Sequence, residues 1–361
     1  MANQRKTAKK TTQKWPKNTR FLTYFDPRQF VNKNQNVLRI EVSPPPRINL
    51  RVPQSSQADI NAVTRLCAVL GRPIAHSASP AMQNAAFKAL GLNWRYLAFE
   101  VDPKNLRAAI EGALAMNFAG LNLTVPHKLL AVEMMDELDD SAKMFGAVNT
   151  IKFEVVRGKV RAIGYNTDAD AIAISLREEL KLKLRGARVL LLGAGGAGRT
   201  AALKLAFENV AELFLANRTA SKAEALAREI RKRFPAVQVV AGYPKAKVDL
   251  VLNATSLGLK RGDPPPLDEK RFPLRQTRAV YDMIYCPAET RLLGAAKKAG
   301  CKTANGLGML LHQGAKAFRI WTGKPAPLDV MRLALKSTVY SPRSPVIAGS
   351  RKVNYESNSK I

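Results

Sequence analysis

The sequence predicts an α/β protein built as two domains. Three observations carry this: apolar runs of strand length alternate with helical periods from Leu66 to Trp321, a glycine-rich turn separates a strand from a helix, and both ends differ in composition from the middle. With 361 residues, 46% of them hydrophobic, the chain is long enough to bury two substantial cores.

Residues 1–60 carry 12 Lys+Arg against 3 Asp+Glu, pass through Ser43-Pro44-Pro45-Pro46 and hold no sustained period, so a disordered basic arm is expected there. Residues 337–361 carry 4 against 1, turn rich in Ser, Pro and Arg, and read as a disordered tail. The ends therefore contribute +9 and +3 to a net charge of +30, leaving +18 between them. Clustered Lys and Arg raise nucleic acid as a partner, but a basic middle suits anionic small molecules equally well, and nucleic acid is not the expected partner. Cys67, Cys286 and Cys301 are odd in number and widely spaced, which gives no disulfide framework. No membrane-spanning run or secretory signal is read, so a cytoplasmic protein is expected. His76, His127 and His312 lack metal-ligand spacing, and no metal site is expected. A homodimer is left open.

In chain order, Leu66–Leu70 reads as a buried strand, 80–90 as a helix, Tyr96–Phe99 as a strand, 104–116 as a helix, Gly120–Leu123 as a strand, and Pro126 as the start of a helix. This alternation predicts a mainly parallel sheet, in a domain of residues 61–167 together with 306–336. A second series, 168–305, runs from a helix ending near Leu180 through strand Ala187–Leu192, a helix, strand Leu213–Ala216, helix Ser221–Phe234, strands Val248–Leu252 and Ala279–Met283, and a helix over Ala288–Ala299. A helix over Leu307–Trp321 then returns toward the first domain.

The turn is Gly193-Ala194-Gly195-Gly196-Ala197-Gly198, after Val189-Leu190-Leu191-Leu192 and before an apolar-periodic helix. Glycines let a backbone turn tightly and approach a pyrophosphate, while the new helix aims free N–H groups at that anion. The second series is therefore a Rossmann-type dinucleotide-binding domain. Its second strand ends not in an acid, which would read a ribose 2′-OH, but in Asn217-Arg218-Thr219, with Ser221 and Lys222 next. Two cations and short hydrogen-bonding side chains favour the 2′-phosphate of NADP, although Thr219 or Ser221 could serve as a helix cap instead.

In the first domain, Ser77, Ser79, Asn122, Thr124, Asn149 and Thr150 fall where strands should end, with Asn166-Thr167-Asp168 beside them. Ligands of open α/β sheets sit at such ends. The motifs Ser77-Ala78-Ser79-Pro80, Asn122-Leu123-Thr124-Val125-Pro126-His127-Lys128, Gly146-Ala147-Val148-Asn149-Thr150, Asn166-Thr167-Asp168, Asn253-Ala254-Thr255-Ser256, Tyr281-Asp282-Met283-Ile284-Tyr285 and Gly306-Leu307-Gly308-Met309-Leu310 resemble those of the shikimate dehydrogenase family, in order, from Leu66 to Leu335. The resemblance implies reduction of 3-dehydroshikimate to shikimate with NADPH. It implies that Ser77 and Ser79 bind the substrate carboxylate, and that Asn122, Thr124, Asn149 and Gln313 join Lys128 and Asp168 around the ring. It also implies that Tyr285 closes the pocket, while Thr255, Met283 and Gly306 lie on the cofactor side.

Hydride delivery to a ketone builds negative charge on oxygen and needs a proton donor there, a role that suits Lys128 with Asp168 orienting it. Taken alone, Lys128 could be a solvated lysine in a first helical turn and Asp168 a helix cap. Ala169, Gly198 and Asn305 depart from the family pattern, in which Gly, Ser and Asp are usual. Two other readings stay open: an NAD-dependent quinate/shikimate dehydrogenase, against which Arg218 and Lys222 count, and a dehydrogenase-like regulator without turnover, against which Lys128 and Asp168 count.

Overall fold

The computed structural model describes residues 60–260 and 262–340. The expected basic arm, Ile60 apart, and residues 341–361 of the expected tail lie outside the described residues.

The first sheet begins with β1 (Arg65–Gly71), buried from Cys67 onward. Next come α1 (Ser79–Ala89), with Pro80 in its first turn where a missing N–H costs nothing, β2 (Trp94–Glu100), α2 (Leu106–Ala115) and β3 (Gly120–Leu123). The expected helix from Pro126 does not form. Residues 125–129 make a turn, and a 3-10 segment follows over Leu130–Met134. The Lys128 carbonyl accepts from Val148 N at 2.9 Å, which removes it from any helical ladder. Then come β4 (Glu137–Leu138), α3 (Asp140–Phe145), and β5 (Thr150–Val156) paired antiparallel with β6 (Lys159–Tyr165). Sheet order is β2-β1-β3-β5-β6-β4, so a mainly parallel arrangement carries one hairpin.

From β6 the chain enters α4 (Asp168–Leu180), whose Ile172, Leu176 and Leu180 belong to the second core. The second sheet uses β7 (Arg188–Leu192), α5 (Gly196–Phe207), β8 (Glu212–Ala216), α6 (Ala220–Arg233), β9 (Gln238–Ala241), β10 (Val248–Asn253), β11 (Thr277–Asp282), α7 (Arg291–Lys298) and β12 (Lys302–Asn305). All its pairings are parallel, in the order β12-β11-β10-β7-β8-β9. That is the doubly wound order, with its reversal between β7 and β10. Val189 and Leu191 of β7 enter one core layer, Leu190 and Leu192 the other, as a strand covered on both faces requires.

Helix α8 (Leu307–Thr322) starts at the end of β12 and returns to the first sheet, where Trp321 Nε1 donates to Ile151 O at 2.9 Å. Helix α9 (Leu328–Tyr340) adds Met331, Leu335 and Val339 to the same core as Phe87 and Tyr96. Within the expected tail, 337–340 are helical, with Val339 buried. Among the described residues no helix is long and apolar enough to cross a membrane.

Candidate active site

Strand ends of the first sheet bring the sequence-predicted polar residues to one edge. Register places Asn122 opposite Thr150, and Thr150 opposite Tyr165, so the ends of β3 and β6 and the start of β5 coincide. Asn122 is buried and held at both ends: Nδ2 donates to Asn149 O at 3.1 Å and to Thr150 Oγ1 at 2.9 Å, while Oδ1 accepts from Tyr96 Oη at 2.6 Å and keeps a second lone pair. Asn149 Nδ2 donates to Thr167 Oγ1 at 2.9 Å, and Asn149 Oδ1 accepts from Thr167 N at 2.7 Å. A buried network of this kind gives its members single orientations.

Lys128 and Asp168 meet beside it. Nζ donates to Asp168 Oδ2 at 2.7 Å, with the lysine side chain 20% exposed and the carboxylate 7%. This is Nζ's one bond among the described residues, so two of its three donors remain for a ligand. Asp168 begins α4 but does not cap it. Asn166 Oδ1 accepts from Ala169 N at 3.1 Å instead.

Ser77 stands in the loop after β1 and Ser79 opens α1, its N donating to Ser77 Oγ at 3.3 Å. Ser77 thereby satisfies the first N–H of α1, whose N-cap residue, Ala78, has no side chain that could. Thr124 lies at the end of β3, against Gly71: a Cβ there would sit 2.3 Å from Thr124 Cγ2. Gln313 is buried in α8 and donates from Nε2 to Leu310 O at 2.8 Å. Tyr285 leaves the end of β11 yet packs on the first core, and burial pushes its phenol up to about 12. Both sheets thus contribute to the same cleft.

Ends of the second sheet build the other wall. Gly193 has φ of +104° and donates from N to Ala216 O at 2.8 Å. Ala194 N donates to Asn217 Oδ1 at 3.0 Å, which ties the glycine turn to the end of β8. Gly195 is the N-cap residue of α5; a Cβ on Gly195 would meet nothing within 4 Å, and one on Gly196 only Leu129 Cγ at 3.9 Å. Beyond β8, Arg218, Thr219 and Lys222 are exposed, and Thr219 makes no side-chain cap bond to α6. Thr255 Oγ1 donates to Asn253 Oδ1 at 2.8 Å, and Met283 N donates to Asn253 O at 3.0 Å. Gly306 lies so close that a Cβ would fall 2.0 Å from Met283 O. The open cradle before a helix N-terminus, followed by unpaired cations and a free hydroxyl, fits a dinucleotide carrying a third phosphate.

Sequence reading missed two parts of this site, Tyr96 and Arg199. Thr150 and Thr167, legible in the sequence as short hydrogen-bonding side chains, hold the asparagines together with Tyr96, but a tyrosine in a strand carries no signal of its own. Arg199 follows the glycine turn immediately and reaches the end of α3: its guanidinium donates to Phe145 O and, at 2.6 Å, to Glu229 of α6. A Cβ on Gly146 would lie 2.8 Å from Arg199 Nη1, so the glycine at the head of the Gly146–Thr150 motif admits this contact. Asn305 has its reason here as well. Nδ2 donates to Ala288 O at 2.8 Å while Oδ1 accepts from Leu307 N at 3.0 Å, a pairing that an ionised aspartate could not complete.

Fold and site define a two-domain α/β dehydrogenase that uses a dinucleotide. Family models described as shikimate dehydrogenase substrate binding domain, shikimate / quinate 5-dehydrogenase, and shikimate 5′-dehydrogenase C-terminal domain match residues 69–151, 175–258 and 306–336. Shikimate dehydrogenase (NADP(+)) of Methanopyrus kandleri is 43% identical over 78% of this chain and 98% of its own. A crystal structure of shikimate dehydrogenase in complex with NADP+ is similar with a TM-score of 0.71 and 42% identity, over 78% of this chain and 98% of the other. Shikimate 5-dehydrogenase of Thermus thermophilus, in complex with NADP(H) and shikimate, gives a TM-score of 0.66 and 38% identity, over 75% and 98%. The chain belongs to the shikimate dehydrogenase family.

Proposed function

We propose that the protein catalyses the reversible, NADP-dependent reduction of 3-dehydroshikimate to shikimate. The observation that carries this is the Lys128–Asp168 pair, held at 2.7 Å at the ends of two strands. Lys128 donates a proton from Nζ to the C3 carbonyl oxygen as negative charge builds there, and Asp168 Oδ2 fixes the direction of that ammonium. The bound dinucleotide supplies the hydride that the ketone carbon accepts. Asn122 and Asn149, locked by Tyr96, Thr150 and Thr167, present a fixed polar rim to the ring hydroxyls, with Thr124 and Gln313 completing it. Ser77 and Ser79 take the substrate carboxylate, and Tyr285 covers the pocket from the opposite wall.

On the cofactor side, the N–H groups of Gly195–Gly198 receive the pyrophosphate, while Arg218, Thr219 and Lys222 receive the 2′-phosphate. Thr255, Met283 and Gly306 line the nicotinamide end. The substrate-binding domain is then 61–167 with 306–336, and the dinucleotide-binding domain 168–305. A cytoplasmic location agrees with three free cysteines.

The test is loss of NADPH absorbance on adding 3-dehydroshikimate, repeated with NADH and with 3-dehydroquinate. Turnover with the first pair is expected. Folded protein that binds NADPH and turns over none of these combinations would overturn the reading, and turnover confined to NADH with 3-dehydroquinate would move it to quinate.

A further inference from the structure

Behind the two helices that join the sheets lies a second concavity. Helices α4, α5 and α8 and the segment leading to α9 line an open concavity of about 550 Å³. That volume falls in the range that suits a small organic ligand. It lies behind the cleft described above, with Thr167 of the asparagine network touching both. Asp168 and Asp170 are two positions apart on α4, which turns them roughly 200° from one another around the helix axis. Asp168 meets Lys128, and Asp170 faces the cavity.

The lining has two chemistries: Ile174 and Leu328 are apolar, while Arg177, Lys204, Lys316 and Arg319 are cationic. Lys204 is the buried anchor, its side chain 8% exposed, bonded to Asp170 Oδ1 at 3.0 Å and Glu208 Oε1 at 2.9 Å. Lys316 shares the same Asp170 at 2.6 Å, and Arg177 shares Glu208. Arg319 has no side-chain ion pair among the described residues. Four cations therefore divide two carboxylates, and two positive charges are left without an anion. Burial raises the Asp170 carboxyl, but its bonds to Lys316 and Lys204 outweigh that and hold it below the usual range, so it is ionised and already counted.

We propose that this cavity binds a small organic anion, a carboxylate or phosphate ester borne on an apolar body. The charged end meets Lys316 and Arg319, whose donors suit planar or tetrahedral oxyanions, and the body lies against Ile174 and Leu328. An inorganic counter-ion would answer the charge but leave the apolar lining wet. Such a ligand touches α5 as well as α4 and α8, and so bridges the dinucleotide domain to the helices that lead into and out of it.

The experiment is calorimetric titration of the full chain with phenyl phosphate, with phenylacetate and with benzyl alcohol, each with and without saturating shikimate. Binding is read without turnover, so it stands or falls independently of the proposed activity. Saturable binding of at least one anion in the millimolar range or below, no saturable binding of the alcohol, and no displacement by shikimate are expected. Lys316→Ala/Arg319→Ala should weaken the anion by about tenfold or more while the melting temperature and the KM for 3-dehydroshikimate stay put. Preference between the two anions would name the class. No saturable binding of either anion, equal binding of benzyl alcohol, displacement by shikimate, or an unaltered affinity in the double variant would each overturn the proposal.

Discussion

Lys128 Nζ lies 2.7 Å from Asp168 Oδ2, although the first residue sits in a turn after β3 and the second, forty positions on, begins α4. Two local devices make the meeting possible. The Lys128 carbonyl is held by Val148 N at 2.9 Å, which keeps the lysine out of a helix, and Asn166 caps α4 so that the Asp168 carboxylate is free to face outward from it.

Lys128→Ala should lower kcat by about 10²–10⁴-fold, the usual worth of a positioned acid, with NADPH affinity nearly unchanged. It also leaves a buried carboxylate without its cation, which costs about 3–5 kcal/mol of stability. Adding Asp168→Asn should restore much of the melting temperature and none of the rate. Recovery of both, or of neither, would mean that the pair is structural. Rate assays and thermal melts on the three variants separate these outcomes.

Arg218 and Lys222 stand exposed past the end of β8, and no described side chain pairs with them. Arg218→Ala removes a charge-assisted bond to the 2′-phosphate, worth about 1.5–3 kcal/mol, so the KM for NADPH should rise by roughly 10–100-fold. NADH, which lacks that phosphate, should be used as before. A parallel loss with both dinucleotides would place Arg218 on the adenine rather than on the phosphate.

His127 is buried, and that burial holds its imidazole below the usual value of about 6.5 against the opposing pull of the Val101 backbone and the Asp102 carboxylate. The folded state therefore excludes a proton that the unfolded chain accepts. Its contribution is complete above about pH 6.5 and drains away as pH falls through the unfolded value toward the folded one. The melting temperature should drop more steeply below pH 6.5 in the parent than in His127→Gln, as scanning calorimetry across pH 5–8 would show. Parallel profiles would mean that His127 does not titrate there.

The sequence reading captured those features whose cause is local. Strand–glycine–helix at Leu192–Gly198 needs particular residues at particular places, and Arg218 is conspicuous because an acid is missing. The β5–β6 hairpin escaped because its two turn residues, Arg157 and Gly158, both adopt positive φ, 51° and 77°, while only the glycine advertises it. Pro126 misled for a different reason. Its sequence suits a helix start, and what prevents one is a hydrogen bond to Val148, twenty residues on. Arg199 carried a charge beside a legible motif, but its acceptor, the Phe145 carbonyl at the end of α3, lies 54 residues back along the chain and leaves no trace in a local pattern.

Glycines of the cofactor turn divide into two kinds, and the division predicts opposite phenotypes. Gly198 faces inward: a Cβ there would fall 2.1 Å from Gly193 O, and Gly193 itself is held at φ +104° with Ala254 and Thr255 against it. Neither backbone can yield without moving the start of α5 away from β7, so Gly198→Ala should lower the melting temperature even with no dinucleotide present. Gly198→Ser, the residue more usual in the family pattern, should do the same here, since its Cβ meets the same oxygen. Gly195 faces outward, with no heavy atom within 4 Å of an added Cβ. Gly195→Ala should therefore leave the melting temperature of the free protein alone and raise the KM for NADPH, because the new methyl group occupies space that the pyrophosphate needs. Thermal melts with and without NADPH decide the matter: the parent should gain stability on binding, Gly195→Ala should start level with it and gain less, and Gly198→Ala should start lower. If Gly195→Ala binds NADPH as the parent does, the dinucleotide does not lie over this turn.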